Sequence, residues 1–288
     1  MSEITLVIGA TGKTGTEIVR LLIANGKAVR AASRNPSAVF AKLAGQVETA
    51  TFDFERPQTF PPALEGVAKV LLMARPGDNQ SDKAAMPLID EAVEKGVRLI
   101  VNLTAMGVER DDSFPLRILE QYIEASGIPF THLRPNWFMQ NFSSGPMLAD
   151  IRATGAIHLP AADAKISFID VRDIAAAGYA ALTEPHHAGK AYTLTGAVAM
   201  DHHDVAKVLS RVTGKTISYV PISEDVARAI LAKGGFPSEM IERWTKFFQM
   251  VRLGFCSTIS HDVETVLGRP AIAFEQYARD YASIFRRD

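Results

Sequence analysis

Apolar and polar residues follow two alternating patterns in the first half of the chain. Short apolar runs, typical of buried strands, are separated by longer segments in which apolar residues recur at helical spacing. The predicted strands are residues 4–8, 28–33, 46–51, 67–73, 97–103 and 130–133, and the predicted helices are residues 16–24, 83–94 and 116–125. Strands and helices that alternate in this way predict a parallel sheet covered by helices on both faces.

The second half of the chain has fewer and shorter strands among its helices. Its predicted strands are residues 165–169, 190–194 and 217–221, and its predicted helices are residues 173–182, 204–212, 239–253 and 274–285. We therefore predict an α/β fold, with a doubly wound, mostly parallel sheet and a smaller α+β C-terminal part. Residues 1–150 would form the sheet domain, completed by later strands near 165–170 and 190–195. Residues 151–288 would form the smaller part and bind substrate at the carboxyl edge of the sheet, where open α/β sheets hold ligands.

A glycine-rich turn, Gly9-Ala10-Thr11-Gly12-Lys13-Thr14-Gly15, follows the first predicted strand and opens the first helix. Glycines at this spacing permit a tight turn, a close backbone approach to a pyrophosphate, and close packing of the helix on the strand. The N–H groups and the dipole at the start of a helix attract phosphate. A turn without a ligand is the alternative, but the position between a strand and a helix favours a dinucleotide site of the Rossmann type.

The end of the second predicted strand indicates which dinucleotide binds. An NAD site usually carries an acidic residue there, which binds the ribose 2′-hydroxyl. This chain has Ser33 and Arg34 instead, and a guanidinium beside a hydroxyl suits the 2′-phosphate of NADP. Lys13 in the turn adds positive charge. We predict NADP(H) rather than NAD, with a merely solvated Arg34 as the alternative.

Composition is that of an ordinary globular protein and disfavours some partners. Hydrophobic residues make up 47% of the chain and charged residues 22%, which is close to the average. Lys and Arg total 31 against 32 for Asp and Glu, so no excess of charge points to nucleic acid or to an anionic membrane. We recognise neither a leader nor an apolar run long enough to span a bilayer, and expect a cytoplasmic protein. The expected partner is a small-molecule substrate, with a monomer and a homodimer both left open.

The chain resembles the NmrA-like branch of the atypical short-chain dehydrogenase/reductases over nearly its whole length. The resemblance rests on the glycine-rich turn and on later segments. These are Ser33-Arg34-Asn35-Pro36, Phe52-Asp53, Val101-Asn102-Leu103-Thr104-Ala105, Leu133-Arg134-Pro135-Asn136-Trp137-Phe138-Met139-Gln140-Asn141 and Phe168-Ile169-Asp170-Val171-Arg172-Asp173-Ile174-Ala175. Their order and spacing are more specific than any one segment.

The resemblance implies a dinucleotide that lies across the strand ends. Because the chain has a single cysteine and no cysteine cluster that suggests zinc, no metal is expected. The implied cofactor contacts are Gly9, Thr11, Gly12, Lys13 and Thr14 for the phosphates, Ser33 and Arg34 for the 2′-phosphate, Asp53 and Phe54 for the adenine, Met73, Ala74 and Arg75 for the ribose, and Thr104 and Pro135 for the nicotinamide. The implied substrate pocket contains Met106, Asn136, Phe138 and a C-terminal helix that carries Trp244.

The sequence names no catalytic residue. Most short-chain reductases use a Tyr-x-x-x-Lys pair, in which the lysine lowers the pKa of the tyrosine. None of the six tyrosines here is followed by a lysine at that spacing. Several NmrA-like reductases carry a lysine on the helix after the fifth strand instead. This chain has Arg117 near that position, and arginine is a poor proton donor because it stays protonated.

Two interpretations follow from this absence. In the first, the protein is an NADPH-dependent reductase that transfers a hydride to a small, largely apolar organic acceptor. An imine or iminium, or a polarised C=C or C=O bond, needs little acid catalysis once it is positioned. In the second, the protein binds NADP(H) without turnover and acts as a redox sensor or regulator. Fold-level analogy favours the reductase, and the missing tyrosine–lysine pair disfavours a sugar-nucleotide epimerase.

Several residues that suggest chemistry have simpler explanations. Cys256 has no activating neighbour in sequence, so we expect a structural thiol. The segment Asp201-His202-His203-Asp204 precedes a predicted helix, and Asp201 is expected to be an N-cap rather than a metal ligand. We expect His186 and His187 to be solvated in a loop bounded by proline and glycine.

Two further features leave alternatives open. Asp53 follows the third predicted strand and is either an acceptor for the adenine amino group or a loop-capping aspartate. The predicted helix 239–253 carries an aromatic cluster, which is either an apolar wall of the substrate pocket or part of the core. Its members are Trp244, Phe247, Phe248 and Met250.

Overall fold

The computed structural model describes residues 3–35, 47–74 and 79–286. Its strands are β1 (Ile4–Ile8), β2 (Val29–Ser33), β3 (Glu48–Thr51), β4 (Val67–Met73), β5 (Leu99–Leu103), β6 (Phe130–Pro135), β7 (Ala156–Leu159), β8 (Lys190–Leu194) and β9 (Ser218–Pro221). Seven of them form one parallel sheet in the order β3-β2-β1-β4-β5-β6-β8, and β7 pairs with β9 in a second, two-stranded sheet. The order of the main sheet is that of doubly wound dinucleotide-binding folds, so the predicted α/β class is confirmed.

Helices connect the strands and make up most of the C-terminal region. They are α1 (Lys13–Ala24), α2 (Phe60–Leu64), α3 (Ser81–Glu94), α4 (Pro115–Ala125), α5 (Gly145–Thr154), α6 (Val171–Thr183), α7 (His202–Thr213), α8 (Glu224–Lys233), α9 (Ser238–Arg252), α10 (Asp262–Leu267), α11 (Phe274–Asp280) and α12 (Ala282–Arg286). Within the described ranges, no helix combines the length and the apolar character that crossing a membrane requires.

The chain divides into two compact units. Unit 1 comprises Met1–Pro135, Val171–Leu194 and Thr265–Gly268, and unit 2 comprises Asn136–Asp170, Thr195–Glu264 and Arg269–Asp288. The main sheet and α6 therefore belong to unit 1, although the sequence analysis placed a single boundary at residue 150. The chain leaves unit 1 after Pro135 and returns to it for α6 and β8.

Only one of the two late segments expected to complete the main sheet does so. The segment near 190–195 is β8, which pairs with β6. Residues 165–170 instead lie in unit 2 and form two isolated bridges, Phe138 with Ile169 and Ile166 with Met200. The main chain of Ser167 is already hydrogen-bonded within unit 2. Its N–H donates to Cys256 O at 3.0 Å, and its carbonyl oxygen accepts from Gly196 N–H at 3.3 Å.

The core of unit 1 lies on both faces of the central strands. Leu6 and Val7 of β1 and Leu71 of β4 are fully buried although neighbouring residues point to opposite faces. Burial on both faces explains why these strands read as continuous apolar runs rather than as alternating ones. Helix α6 packs closely on α1, where a Cβ added to Gly178 would lie 3.0 Å from Ile18 Cδ1.

The core of unit 2 is rich in aromatic rings. Phe168 lies 5.3 Å from Phe142 and 6.0 Å from Trp137 between ring centroids. The imidazole of His202 is fully buried among these three rings, and neither of its nitrogens has a hydrogen-bond partner within the described residues. Such a site favours the neutral imidazole, because a charged group would lose its hydration there.

Candidate dinucleotide-binding and active site

The glycine-rich turn connects β1 to α1 through a close backbone packing. Gly9 has φ +72°, a left-handed conformation that glycine adopts without strain. The N–H of Gly12 donates to Gly9 O at 2.9 Å, and the N–H of Ala10 donates to Ala32 O at 3.2 Å, which fixes the turn against β2. A Cβ at Gly15 would lie 2.3 Å from Gly9 O and 2.8 Å from Ala10 Cα. Only glycine therefore allows α1 to start this close to the turn.

The first turn of α1 presents N–H groups that no capping side chain occupies. Gly12 is the N-cap in an extended conformation, with φ −78° and ψ 170°, and the first helical turn contains no acidic residue. Thr11, Gly12 and Lys13 are exposed, whereas Thr14 is buried. Because uncapped N–H groups and the helix dipole both favour an anion, this turn suits a phosphate.

Ser33 and Arg34 lie side by side at the carboxyl end of β2. The Ser33 side chain is buried, and its Oγ has no hydrogen-bond partner among the described residues. Leaving a buried hydroxyl unpaired costs about 1–3 kcal/mol, which a phosphate oxygen within reach would offset. Arg34 is exposed. The contact of Ser33 and Arg34 with a 2′-phosphate remains a prediction.

Asp53 is used as a turn cap. Its Oδ1 accepts a hydrogen bond from Glu55 N–H at 3.1 Å, and its Oδ2 lies 3.3 Å from Arg56 Nε. This arrangement is the loop-capping one, and the contact of Asp53 with adenine remains a prediction. The neighbouring ring of Phe54 is half-buried and meets Phe52 edge-on, with 4.9 Å between the ring centroids.

The ends of β1 and β4 bring two more predicted cofactor residues together. A Cβ at Gly9 would lie 3.0 Å from Met73 Cε, so the methionine side chain borders the glycine-rich turn. Ala74 follows β4 and is buried. Arg75 lies outside the described residues.

Thr104 and Pro135 lie at the ends of neighbouring strands. The N–H of Thr104 donates to Leu133 O at 2.8 Å, and the N–H of Met106 donates to Pro135 O at 3.0 Å. The hydroxyl of Thr104 donates to Glu120 Oε1 at 2.8 Å. These bonds fix the two residues expected at the nicotinamide beside each other on the carboxyl edge of the sheet.

Glu120 is the centre of a buried ion cluster that the sequence analysis did not find. Arg134 donates to both carboxylate oxygens, from Nε to Oε1 at 3.0 Å and from Nη2 to Oε2 at 2.7 Å, and Arg117 Nη1 donates to Oε2 at 3.0 Å. Burial by itself raises the pKa of Glu120. The hydrogen bonds of Arg134 and Thr104 and the positive charge of Arg134 outweigh burial and hold that pKa below its usual value. A glutamate at a buried position of amphipathic α4 is the sequence signal that points to such a cluster.

Arg117 lies near the position where the resemblance implies a lysine, and its guanidinium is already bound. It donates to Glu120 Oε2 at 3.0 Å and to Glu124 Oε1 at 2.9 Å. Burial lowers the pKa of Arg117, but its hydrogen bonds to these two carboxylates raise that pKa above its usual value. Arg117 therefore cannot supply a proton to a reacting group at neutral pH.

Asn136 is committed to hydrogen bonds within unit 2. Its Nδ2 donates to Ser167 Oγ and to Cys256 O, both at 2.8 Å, and its Oδ1 accepts from Trp137 N–H at 2.9 Å. Both amide hydrogens are thus used in hydrogen bonds within unit 2. The predicted contact of Asn136 with substrate remains a prediction. Cys256 is half-buried, and its carbonyl oxygen accepts one of these hydrogen bonds.

The aromatic cluster on α9 divides between core and surface. Phe248 is 1% exposed, whereas Phe247 is 37% and Met250 43% exposed. Trp244 is half-buried, with its ring centroid 6.3 Å from that of Trp137. Phe248 therefore belongs to the core, and a substrate wall formed by Trp244, Phe247 and Met250 remains a prediction. The remaining predicted pocket residues, Phe138 in unit 2 and Met106 in unit 1, are half-buried.

Comparison with known proteins finds a family that matches most of the chain. The model of the NmrA-like family matches residues 1–265. The chain belongs to the NmrA-like family. It is 33% identical over 287 residues to the NAD(P)H azoreductase of Xenophilus azovorans, a match that covers 97% of this chain and 98% of that protein. It is 32% identical over 286 residues to the (4-alkanoyl-5-oxo-2,5-dihydrofuran-3-yl)methyl phosphate reductase of Streptomyces griseus subsp. griseus, which covers 97% and 98%.

A solved structure has the same fold. The triphenylmethane reductase of Citrobacter sp., complexed with NADP(H), superposes with a TM-score of 0.83 at 24% identity, covering 97% of this chain and 99% of that one. The curated relatives of this NmrA-like chain are oxidoreductases, among them one named for NAD(P)H. They support a nicotinamide cofactor and a small-molecule substrate for this member of the family.

Two other sequence predictions have different outcomes in this NmrA-like chain. Asp201 caps α7 as predicted, since its Oδ1 accepts from Asp204 N–H at 2.8 Å. The prediction that His187 is solvated was wrong. Its side chain is buried, its Nδ1 lies 2.8 Å from Tyr192 Oη, and its carbonyl accepts from Thr131 Oγ1 at 2.8 Å. These contacts bind the residue to β6 and β8.

Proposed function

We propose that this protein is an NADPH-dependent reductase that acts on a small, largely apolar organic acceptor. The acceptor carries an imine or iminium group or a polarised C=C or C=O bond. The observation that carries the proposal is found at two neighbouring strand ends. A helix start without a side-chain cap follows Gly12, and the buried hydroxyl of Ser33, which has no hydrogen-bond partner among the described residues, precedes the exposed Arg34. NADPH, when bound, supplies the hydride.

Each part of the cofactor has residues to hold it at the carboxyl edge of the main sheet. We assign the pyrophosphate to the turn, the 2′-phosphate to Ser33 and Arg34, and the adenine to the surroundings of Asp53 and Phe54. We assign the ribose to Met73, Ala74 and Arg75, and the nicotinamide to Thr104 and Pro135. We assign substrate contacts to Met106, Asn136, Phe138 and Trp244.

The choice of acceptor follows from which residues of the proposed site could donate a proton. The chain has no Tyr-x-x-x-Lys pair, and Arg117 and Glu120 are held in an ion cluster. An iminium carbon needs only the hydride, because its positive nitrogen becomes a neutral amine. A polarised C=C or C=O bond takes its proton from water after the hydride. The name of one curated relative supports such an acceptor, since it denotes an unsaturated furanone.

Calorimetric titration of NADPH and NADH tests the cofactor assignment. A charge-assisted contact with the 2′-phosphate contributes about 1.5–3 kcal/mol, which corresponds to a roughly 10- to 150-fold change in affinity. We expect Arg34→Ala to weaken NADPH binding by this factor and to leave NADH binding unchanged. Arg20→Ala is the matched control, because Arg20 is also exposed but lies along α1 beside Glu17. Failure of wild type to bind either dinucleotide would overturn the proposal.

Arg117 is held by Glu120 and Glu124 and cannot donate a proton to a substrate. This also favours a second candidate, an NADP(H)-binding sensor without turnover. Oxidation of NADPH, followed by its absorbance, with a panel of iminium, quinone and enone acceptors separates the two. Turnover with any of these acceptors supports the reductase. NADPH binding without turnover by any of them supports the sensor.

A further inference from the structure

Three ligand-type side chains converge in the connection between α6 and β8. The carboxylate of Glu184 places Oε2 at 3.5 Å from His186 Nε2 and at 3.5 Å from His187 Nε2. One ligand atom from each residue lies within 4.8 Å of the other two. All three residues belong to unit 1, just before β8 begins at Lys190.

The spacing of these atoms suits a tetrahedral metal ion. Zinc bonds to imidazole nitrogen and carboxylate oxygen are about 2.0–2.2 Å long, which separates neighbouring tetrahedral ligands by about 3.4 Å. The two distances from Glu184 to the histidines already have this value. Glu184 and His186 are exposed, with 48% and 62% of their side chains accessible. They can therefore rotate to complete the third edge.

His187 supplies an independent observation. Only 1% of the residue is exposed, yet its Nε2 has no hydrogen-bond partner among the described residues. Its Nδ1 lies 2.8 Å from Tyr192 Oη. The tautomer that carries the proton on Nδ1 donates to Tyr192 and leaves the Nε2 lone pair facing Glu184. Metal-binding histidines are oriented in this way by a partner on the other ring nitrogen.

A second group of possible metal ligands differs in the charges around it. Glu120, Glu124 and His132 also lie within ligand distance of one another. There, however, Arg117 and Arg134 already neutralise the carboxylates. Within residues 3–35, 47–74 and 79–286, the ion contacts of Glu184 are with the two histidines. Its negative charge is therefore available to a cation.

We propose that Glu184, His186 and His187 bind one Zn²⁺ ion, with water as the remaining ligand. Two imidazoles and a carboxylate also suit other first-row divalent metals, whereas Mg²⁺ prefers oxygen ligands alone. The site lies at the amino edge of the main sheet, and the glycine-rich turn lies at the carboxyl edge of the same unit. Zinc bound here stabilises the folded state by linkage and leaves dinucleotide binding unchanged.

Titration of ZnCl2 into the untagged, chelator-treated full chain tests the site. We expect one equivalent to bind and the midpoint of thermal unfolding to rise by several degrees. His186→Ala and Glu184→Gln each remove one exposed ligand and should lower the zinc affinity at least tenfold. Both variants should abolish the thermal shift and retain wild-type binding of NADPH. MgCl2 should produce no shift.

His203→Ala is the matched control. His203 Nε2 lies 3.5 Å from Asp163 Oδ1, which is the same separation but without a third ligand. This variant should bind zinc as wild type does. Absence of stoichiometric zinc binding overturns the proposal. So does wild-type affinity in both ligand variants, or a loss of affinity in His203→Ala that places the metal elsewhere.

Discussion

The hydroxyl of Thr104 donates to Glu120 Oε1 at 2.8 Å, and the same oxygen accepts from Arg134 Nε at 3.0 Å. One buried carboxylate thus joins the residue that follows β5 to the residue that precedes Pro135 on β6. Because Thr104 and Pro135 flank the proposed position of the nicotinamide, Glu120 positions that part of the site without belonging to it.

Glu120→Gln should lower the free energy of unfolding by about 3 kcal/mol. Removal of one partner from a buried ion pair leaves the other charge without compensation, and here Arg134 and Arg117 both lose their shared buried partner and keep only the more exposed Glu109 and Glu124. Urea denaturation followed by circular dichroism measures the change. Glu109→Gln is the control, because Glu109 is 35% exposed and lies 3.6 Å from Arg134. We expect less than about 1 kcal/mol for it, and equal losses in the two variants would contradict the role of Glu120.

Gly15→Ala and Gly12→Ala should separate folding of the turn from binding at the turn. A Cβ at Gly15 would lie 2.3 Å from Gly9 O, whereas one at Gly12 would lie 3.2 Å away. Gly15→Ala should therefore destabilise the protein by roughly 1–3 kcal/mol through overpacking and also weaken NADPH binding. Gly12→Ala should retain most of the stability and lose NADPH affinity. Urea denaturation and calorimetry on both variants test this, and equal stability of the two would count against the packing argument.

Stability should fall on acidification because of His202. Burial lowers the pKa of His202 to about 4, an effect that nearby His203 increases and Asp201 opposes. In the unfolded chain the imidazole takes up its proton near pH 6.5. The unfolded state therefore binds more protons between pH 6.5 and 4. The contribution of His202 is complete above pH 6.5 and is lost as the pH falls towards 4, by about 3 kcal/mol in all.

Urea denaturation between pH 7.5 and 4 measures this dependence. His202→Leu replaces the imidazole with an apolar group of similar size, and the slope of stability against pH should become shallower. His203→Gln should retain the wild-type slope, since His203 is 45% exposed. An unchanged slope in His202→Leu would show that other groups cause the acid sensitivity.

Phe248 and Phe247, adjacent on α9, should differ in what they contribute. Phe248→Ala removes a ring that is 1% exposed and should cost about 3–5 kcal/mol of stability. Phe247→Ala removes a ring that is 37% exposed and should cost little stability. If Phe247 belongs to the substrate wall, its variant raises KM for apolar acceptors severalfold at unchanged kcat. An unchanged KM would remove Phe247 from that wall.

The sequence predicted the bounds of three strands of the main sheet. β1 and β4, in the middle of the sheet, begin and end at the predicted residues. So does β8, although it is an edge strand whose first two residues are exposed. α8 was not predicted, although Val226, Ile230 and Leu231 recur in it at helical spacing, and none of its residues is buried. Its local signal is Ser223, whose Oγ accepts from Val226 N–H at 3.3 Å.

The sequence analysis did not predict a break within a helix or contacts between distant elements. One helix was predicted over residues 274–285, whereas the structure has α11 and α12 with a break at Tyr281. The apolar spacing continues across that break and does not reveal it. The glycine-rich turn was predictable because its chemistry is local. The bond from Thr104 to Glu120 was not, because it depends on how α4 packs beside β5.

The insertion of residues 136–170 between β6 and β8 sets the order in which the sheet can be made. β8 pairs with β6 from Lys190 onwards, so a ribosome must add about 60 residues after β6 starts before its partner exists. At roughly 5–20 residues per second, that interval lasts about 3–12 s. During this time the nascent sheet ends at β6, whose outer row of N–H and C=O groups can pair with another chain. Protection of that open edge during synthesis becomes a requirement for producing this protein without aggregation.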